Sequence, residues 1–249
     1  MKKSLCTFWM ALMAVSAFAV DLPKQGFGIQ IGWAQPTLRL NSPNSKDSLA
    51  NTVHLNGFKV GLVYDASYIA GLGSTMGINY TFGVSNSGWK SIYSNNDYPK
   101  SRTLITYHQI ELFVDWQYKF EVAKETYLML YTGPTIQCGL DFTMRTDRQE
   151  WNPVTDVTTT TYGNRYDAYN IGDDSLDPTR YTADNTLKRI NITWGVGAGF
   201  QYKRYFLRGG YDFGLFNPYK NAEFTNGNYT RGRLDQWNIK FGVYLWYAD

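Results

Sequence analysis

His108-Gln109-Ile110-Glu111-Leu112-Phe113-Val114-Asp115-Trp116-Gln117-Tyr118-Lys119-Phe120 is the stretch that decides how this chain folds. Its even positions carry His108, Ile110, Leu112, Val114, Trp116, Tyr118 and Phe120. Its odd positions carry Gln109, Glu111, Phe113, Asp115, Gln117 and Lys119. One face is apolar almost throughout; the other is polar apart from Phe113. A period of two residues belongs to a β-strand, whose successive side chains point to opposite sides.

The same alternation returns elsewhere. Ile190, Ile192, Trp194, Val196, Ala198, Phe200 and Tyr202 share one face of 190–202, and Asn191, Thr193, Gly195, Gly197, Gly199 and Gln201 share the other. Over 237–247 the apolar face is Trp237, Ile239, Phe241, Val243, Leu245 and Tyr247. Weaker versions lie near 27–40, 58–68, 76–84, 128–144 and 205–215. The pattern therefore predicts an all-β chain of eight strands. The connections alternate in length. They are short about Ile69–Gly73, Glu121–Glu125 and Lys203-Arg204, and long and polar about 41–52, 86–102, 145–187 and 217–232. Short turns at one rim and long loops at the other are the pattern of a transmembrane up-and-down antiparallel β-barrel.

The segment 145–187 is longer than a structureless loop in a compact domain should be. Its first part, Arg145 to Tyr162, reads as a hairpin rising above the membrane and turning at Asn152-Pro153. Val154 to Tyr162 is Thr-rich and lacks an apolar face, so it is not counted as membrane-crossing. A ten-stranded barrel is the alternative.

Alternation alone does not separate a membrane barrel from a soluble one; bulk does. An eight-stranded interior is just wide enough to be filled by side chains or one small ligand. The apolar face carries Trp33, Trp116, Trp194 and Trp237 besides many Phe, Tyr, Leu and Ile, which is too much for that interior. The polar face is rich in glycine, including Gly28, Gly61, Gly77 and Gly197, which suits a crowded inside. Aromatics gather near the short turns (Tyr68, Tyr118, Phe120, Tyr202, Tyr205, Tyr247), as in an interfacial girdle. Mean hydropathy is −0.38 despite 8 Trp, 20 Tyr and 14 Phe. That combination follows when only every second residue of a strand faces lipid.

The first residues read as a processing signal. Lys2 and Lys3 precede an apolar run from Leu5 to Val15, then Ala17-Phe18-Ala19, a small-x-small cleavage pattern. Residues 1–19 are expected to be a signal peptide and 20–249 the barrel domain. Cleavage after Ala19 would export the mature chain towards the cell outer membrane. Loss of Lys2 and Lys3 takes Lys+Arg from 24 to 22, against 21 Asp+Glu, so nothing electrostatic favours nucleic acid. Cys6 leaves with the signal, and Cys138 then has no intramolecular partner. It reads as a buried or lipid-facing small apolar residue.

Lys240-Phe241-Gly242-Val243-Tyr244-Leu245-Trp246-Tyr247 resembles the C-terminal insertion signal of barrel proteins, with Lys240, Gly242, Leu245 and Tyr247 at the signal positions. The chain departs from the proteobacterial form by ending in Ala248-Asp249. The whole mature chain resembles the small eight-stranded outer-membrane barrels of the OmpA/OmpX type and the PorT-like barrel domains of Bacteroidetes. The resemblance implies a Gram-negative envelope, contact with outer-membrane lipid and insertion by the barrel-assembly machinery. It brings no catalytic residues.

The predicted inward set holds five bases, Lys59, Lys119, Arg189, Arg208 and Lys240, and five acids, Asp65, Glu111, Asp115, Asp141 and Asp212. Buried charge is costly unless paired, so these ten are expected to form a network that plugs the lumen. A narrow passage for small solutes is the alternative. The loops carry Trp89, Tyr93, Tyr98, Trp151, Tyr162, Tyr166, Tyr169 and Tyr181, rigid contact groups suited to an extracellular partner. Asp173, Asp174 and Asp177 lack the spacing and glycine of a calcium loop. Catalysis would need a serine, a histidine and an acid in register. The two histidines are His54 and His108, and neither has a catalytic motif around it, though Ser101 and Thr106 are near His108 in sequence. No cofactor or metal is expected, and a monomer is. The expected role is structural or surface-interacting, with a lipid-modifying enzyme a more distant alternative.

Overall fold

A computed structural model describes residues 25–41, 52–69, 71–92, 98–169, 187–218 and 231–248. The signal segment, Asp173, Asp174, Asp177, Tyr93 and Tyr181 lie outside the described residues.

The strands in chain order are β1 (Gln25–Asn41), β2 (Thr52–His54), β3 (Asn56–Ile69), β4 (Leu72–Asn86), β5 (Lys90–Ser91), β6 (Lys100–Ala123), β7 (Thr126–Asn152), β8 (Val157–Thr161), β9 (Arg165–Asp167), β10 (Ile190–Tyr202), β11 (Tyr205–Gly214) and β12 (Arg231–Ala248). Eight of them close a ring in the order β6-β4-β3-β1-β12-β11-β10-β7, with β7 returning to β6. Every junction is antiparallel. Strands consecutive around the chain are neighbours in the ring, and β1 meets β12, so the topology is up-and-down. Closure leaves the ring no unpaired edge, which a strand in lipid could not satisfy with water.

Period-two patterning places the side chains. Phe27, Ile29, Ile31 and Trp33 of β1 are exposed, whereas Gln30 between them is buried. In β6, Leu112, Val114 and Trp116 are exposed while Glu111, Phe113 and Asp115 are buried. The outer wall is thus apolar and the inner wall polar, the inverse of a water-soluble barrel. The short connections lie at the end where Gln25 and Ala248 pair. Each contains one residue with left-handed backbone: Gly71 at φ 84°, Glu125 at 58° and Lys203 at 51°. Gly71 meets that demand without strain, having no Cβ.

At the opposite end, β6 and β7 overshoot. A tilted strand crosses the bilayer in ~9–11 residues, but β6 has 24 and β7 has 27. Their surplus pairs as a hairpin extension, Lys100 opposite Gln149. β5 flanks it at Lys90–Ser91 and β8 at Arg148–Asn152. The predicted hairpin over Arg145–Tyr162 is therefore present. Its second arm, β8, bonds to β7 and stays out of the ring, which keeps the barrel at eight strands.

Of four register shifts among the described ring strands, two move predicted side chains to the other face. Between β6 and β7 the register passes from His108↔Asp141 to Gln109↔Gly139, leaving Leu140 without an opposite number. Between β1 and β12 it passes from Phe27↔Trp246 to Gly28↔Tyr244, leaving Leu245 over. An extra residue turns every later side chain to the other face.

Candidate functional site

The lumen is filled in three layers. At the short-turn end Val63, Phe113, Met129, Phe206 and Tyr244 form an apolar floor, with Tyr247 packed on it. Asp65 is held there by Lys119, by the Tyr244 hydroxyl at 2.7 Å and by Gln117 Nε2 at 2.5 Å.

The middle layer centres on Glu111, which is 1% exposed. Its Oε2 accepts from Lys59 Nζ at 2.6 Å and Asn79 Nδ2 at 3.4 Å. Its Oε1 accepts from Gln109 Nε2 at 2.5 Å, Gln236 Nε2 at 3.0 Å and Thr81 Oγ1 at 3.1 Å. Gln30 Nε2 donates to Asn79 Oδ1 at 2.6 Å. One carboxylate thereby ties together β3, β4, β6 and β12, and β1 through Asn79. Nearby, Arg208 Nη2 meets Asp115 Oδ2 at 3.0 Å while its guanidinium lies over the Tyr131 ring at 4.0 Å. Lys240 Nζ sits 4.9 Å from the Phe113 ring centre. Asp212 accepts from Asn238 Nδ2 at 2.9 Å and Gln236 Nε2 at 3.4 Å.

An apolar cap closes the third layer, at the long-loop mouth. It comprises Leu38, Leu55, Ile105, Tyr107, Phe142, Ala168, Tyr169 and Leu187. Tyr107 and Tyr169 both meet Phe142 edge-on, at 5.9 and 6.1 Å between ring centres.

Eight of the ten sequence-predicted lumen charges are inside. Lys59, Lys119, Arg208 and Lys240 offset Asp65, Glu111, Asp115 and Asp212. The other two are not part of this set. Asp141 lies opposite His108 beyond the Leu140 bulge and so joins the outer face; its Oδ1 accepts from Thr143 Oγ1 at 2.7 Å. Arg189 sits at the mouth, where it donates to the Leu140 carbonyl at 2.9 Å, approaches Asp167 at 3.8 Å and covers the Tyr169 ring at 5.1 Å. Among the four insertion-signal positions, Lys240 and Gly242 face the lumen and Leu245 faces out. Tyr247, expected on the lipid face, instead lies opposite Gly26 beyond the Leu245 bulge and accepts from Gln201. Its neighbour Trp246 takes the outer position and is exposed. The amides Gln30, Asn79, Gln109 and Gln236 were invisible to a search for charge alone. Polar residues on the inward parity of adjacent strands were the signal that could have found them.

Cys138 is exposed on the outer wall. His54 Nδ1 meets Thr37 Oγ1 at 3.1 Å and His108 Nδ1 meets the Tyr80 hydroxyl at 2.5 Å. No serine hydrogen-bonds to either ring among the described residues, and no group of three potential metal ligands occurs among them.

Outside the lumen, the hairpin extension holds Asp147, buried beside Arg102 at 2.9 Å and Arg145 at 3.0 Å. Burial by itself would raise this carboxyl. The Arg102 hydrogen bond, the Arg145 charge and the Gly163 N–H outweigh it and hold the carboxyl below its ordinary range. Arg102 also covers the Trp89 ring at 4.6 Å, and Arg145 the Tyr162 ring at 5.6 Å.

An apolar outer wall, a polar filled interior, short turns at one rim and an extended hairpin at the other define a small transmembrane β-barrel of the Gram-negative outer membrane. The chain belongs to the outer membrane protein beta-barrel domain family, which matches residues 25–219. No curated protein matches it. Among solved structures it is similar to Neisserial surface protein A, NspA, at 10% identity and TM-score 0.40, over 88% of this chain and 97% of that one. It is also similar to Ail, the attachment invasion locus protein of Yersinia pestis, in complex with the heparin analogue sucrose octasulfate. That match has 8% identity and TM-score 0.39, over 89% and 99% of the two chains. The N-terminal barrel domain of Pseudomonas aeruginosa OprF matches at 9% identity and TM-score 0.22, over 86% and 97%. Likeness at this level carries no argument about function.

Proposed function

We propose that this outer-membrane barrel is a closed scaffold that acts through its extracellular rim, by stabilising the envelope or presenting its hairpin and loops to a partner. The observation that carries the reading is the Glu111 hub, whose five donors come from its own strand and three others. Opening a path through it would strand several buried polar groups at once, at ~1–3 kcal/mol for each neutral one. The apolar cap above packs Leu, Ile, Phe and Tyr side chains across the mouth. Beneath Arg189 a cleft of about 20 Å³ remains, room for about one water. The rim, by contrast, presents exposed Trp151, Val154, Val157 and Tyr162.

Planar-bilayer recording on refolded protein tests the closed state. The expected trace is flat at physiological salt; a stable open conductance would replace the scaffold reading by the narrow-channel one. In the same reading residues 1–19 are removed on export, so N-terminal sequencing of the mature chain should begin at Val20, and Lys240–Tyr247 serves insertion. The barrel works as a monomer without a cofactor.

A further inference from the structure

The ring is closed where it crosses the membrane, but its strands end at different heights on the short-turn side. The ladder between β11 and β12 stops at Tyr205↔Val243. The ladder between β1 and β12 runs on to Gln25↔Ala248. β12 therefore overhangs β11 from Tyr244 to Ala248. One main-chain bond still crosses, from the Tyr244 N–H to the Arg204 carbonyl at 2.8 Å. Beyond the Leu245 bulge, Trp246 to Ala248 pair with β1 alone among the described residues. A strand edge without a neighbour presents main-chain N–H and C=O groups that can pair with a further strand.

A notch of about 570 Å³ lies beside that edge, a size typical of ligand-binding clefts. Tyr127, Gln201 and Tyr247 line its inner side, and the exposed Tyr205 and Leu245 its outer side. The β10–β11 turn, Lys203-Arg204, forms its membrane-side end. Gln201 is 1% exposed. Its Nε2 donates to the Lys203 carbonyl at 2.9 Å and to the Tyr247 hydroxyl. Its Oε1 has no hydrogen-bond partner. A buried acceptor left unpaired is costly, and a donor brought into the notch would satisfy it.

Charge and direction narrow the occupant. Lys203 approaches Glu125 at 3.8 Å, and among the described residues no carboxylate pairs with Arg204. The turn end of the notch thus carries one surplus positive charge. β12 runs towards the short-turn rim, so a strand added antiparallel to it finishes at Arg204. The turn blocks the way further, so the segment that fits ends there, on its carboxylate. A parallel strand would set its terminal ammonium beside two cations. The edge has room for about four residues, at ~3.4 Å apiece. Their side chains would face the inner tyrosines and the Leu245–Tyr205 side in turn, which suits apolar and β-branched residues. Short turns of an outer-membrane barrel face the periplasm.

We propose that the notch between β11 and the overhanging end of β12 docks the C-terminal end of a periplasmic protein. The segment adds to β12 as a short antiparallel strand. Arg204 holds its carboxylate, and one of its donors meets Gln201 Oε1.

Fluorescence anisotropy with the refolded mature chain in neutral-detergent micelles tests this. The probe is a pentapeptide of alternating valine and threonine, labelled with fluorescein at its N-terminus and ending in a free carboxylate. Its C-terminal amide is the comparison. The carboxylate form should bind, and the amide should bind about tenfold more weakly, the lower end of what a hydrogen bond to a charged group contributes. Arg204→Gln should bring the carboxylate form down to the amide's level and leave the amide unchanged. A peptide with proline at every second position lacks half of the main-chain donors and should not bind. Heat-modifiable gel migration reports whether the variant is folded. If it is not, the three peptides on the wild type still decide the matter. Equal binding of acid and amide overturns the proposal, as does a folded Arg204→Gln that binds the acid like wild type. A proline peptide that binds like its parent also overturns it, since the strand edge would then carry none of the contact. Binding seen only after deletion of residues 20–24 would make the chain's own N-terminal segment the occupant. No binding up to ~1 mM would leave the notch without one. Either result ends the proposal.

Discussion

Inside the lumen, four cations, Lys59, Lys119, Arg208 and Lys240, face four carboxylates, Asp65, Glu111, Asp115 and Asp212. On the outward parity of the wall, Arg39 and Arg233 share Asp235, and Arg102 and Arg145 share Asp147. Both regions bury their acids: Glu111 is 1% exposed and Asp235 0%. They differ in what covers the cations. Lys59 and Arg208 are themselves 1% exposed, so their charge must be cancelled inside the protein. Arg39 and Arg233 are nearly half exposed and can leave charge over for the surroundings. The lumen is therefore built to be electrically silent and the rim to be positive. The same ion-pair chemistry fills the lumen in one place and leaves arginine exposed in the other.

The sharpest way to break the comparison is at Glu111. Glu111→Ala leaves Lys59 as an uncompensated buried charge and four other donors without their acceptor. Loss of one partner of a buried pair costs ~3–5 kcal/mol, so the urea midpoint of the refolded barrel should fall steeply. Replacing the pair together, Lys59→Met with Glu111→Leu, removes both charges, and much of the stability should return. If the single change were as mild as the double one, the lumen would be wet enough to solvate Lys59. The closed reading would then fail.

How far the sequence could show this division depends on what each part needs. The eight strands, the three tight turns and the extracellular hairpin were legible because each rests on a local pattern: alternation, Gly71 at a turn, Asn152-Pro153 at a tip. The inward positions of Lys59, Glu111 and Arg208 followed from the same period. Asp141 and Tyr247 did not, because single extra residues at Leu140 and Leu245 invert the faces beyond them. A bulge between two apolar stretches leaves no mark in composition. The rim clusters were illegible for another reason. Arg39 meets Asp235 only because the first strand of the ring closes against the last, and that register is a property of the whole barrel. Asp147 reads as an ordinary loop acid until Arg102 is set opposite it.

A milder intervention uses pH on the second rim cluster. The Asp147 carboxyl is held below its ordinary range. A carboxyl depressed in the folded state adds stability that is present above its unfolded pKa of about 4. That contribution fades as pH falls through the lower folded value. Acid should therefore loosen the hairpin before it opens the ring. Protease nicking between Lys100 and Thr161 should rise on acidification in the wild type, while the heat-modifiable gel shift of the barrel stays constant. Asp147→Asn should nick more readily already at neutral pH and change less on acidification. Equal acid sensitivity in wild type and variant would mean that Asp147 does not hold the hairpin.

The smallest effect on stability belongs to the hairpin tip, where a functional effect would be most telling. Asn152 Oδ1 accepts from the Val154 N–H at 2.9 Å, and Asp156, at φ 53°, accepts from Trp151 Nε1 at 3.1 Å. The turn is thus held by its own side chains and owes little to the barrel. Trp151 is 44% exposed, beside Tyr98 at 6.3 Å between ring centres, and Val154 is 90% exposed. Trp151→Ala with Val154→Ser should shift global stability by no more than ~1 kcal/mol, as surface changes do. Exposed aromatics of this kind carry a large share of the energy where a surface binds a partner. Proteins captured from intact cells by the wild type should therefore be lost by this variant and by deletion of 145–187 alike. Retention by the point variant with loss on deletion would move the contact to the rest of the segment. Identical capture by all three would leave the barrel a scaffold alone.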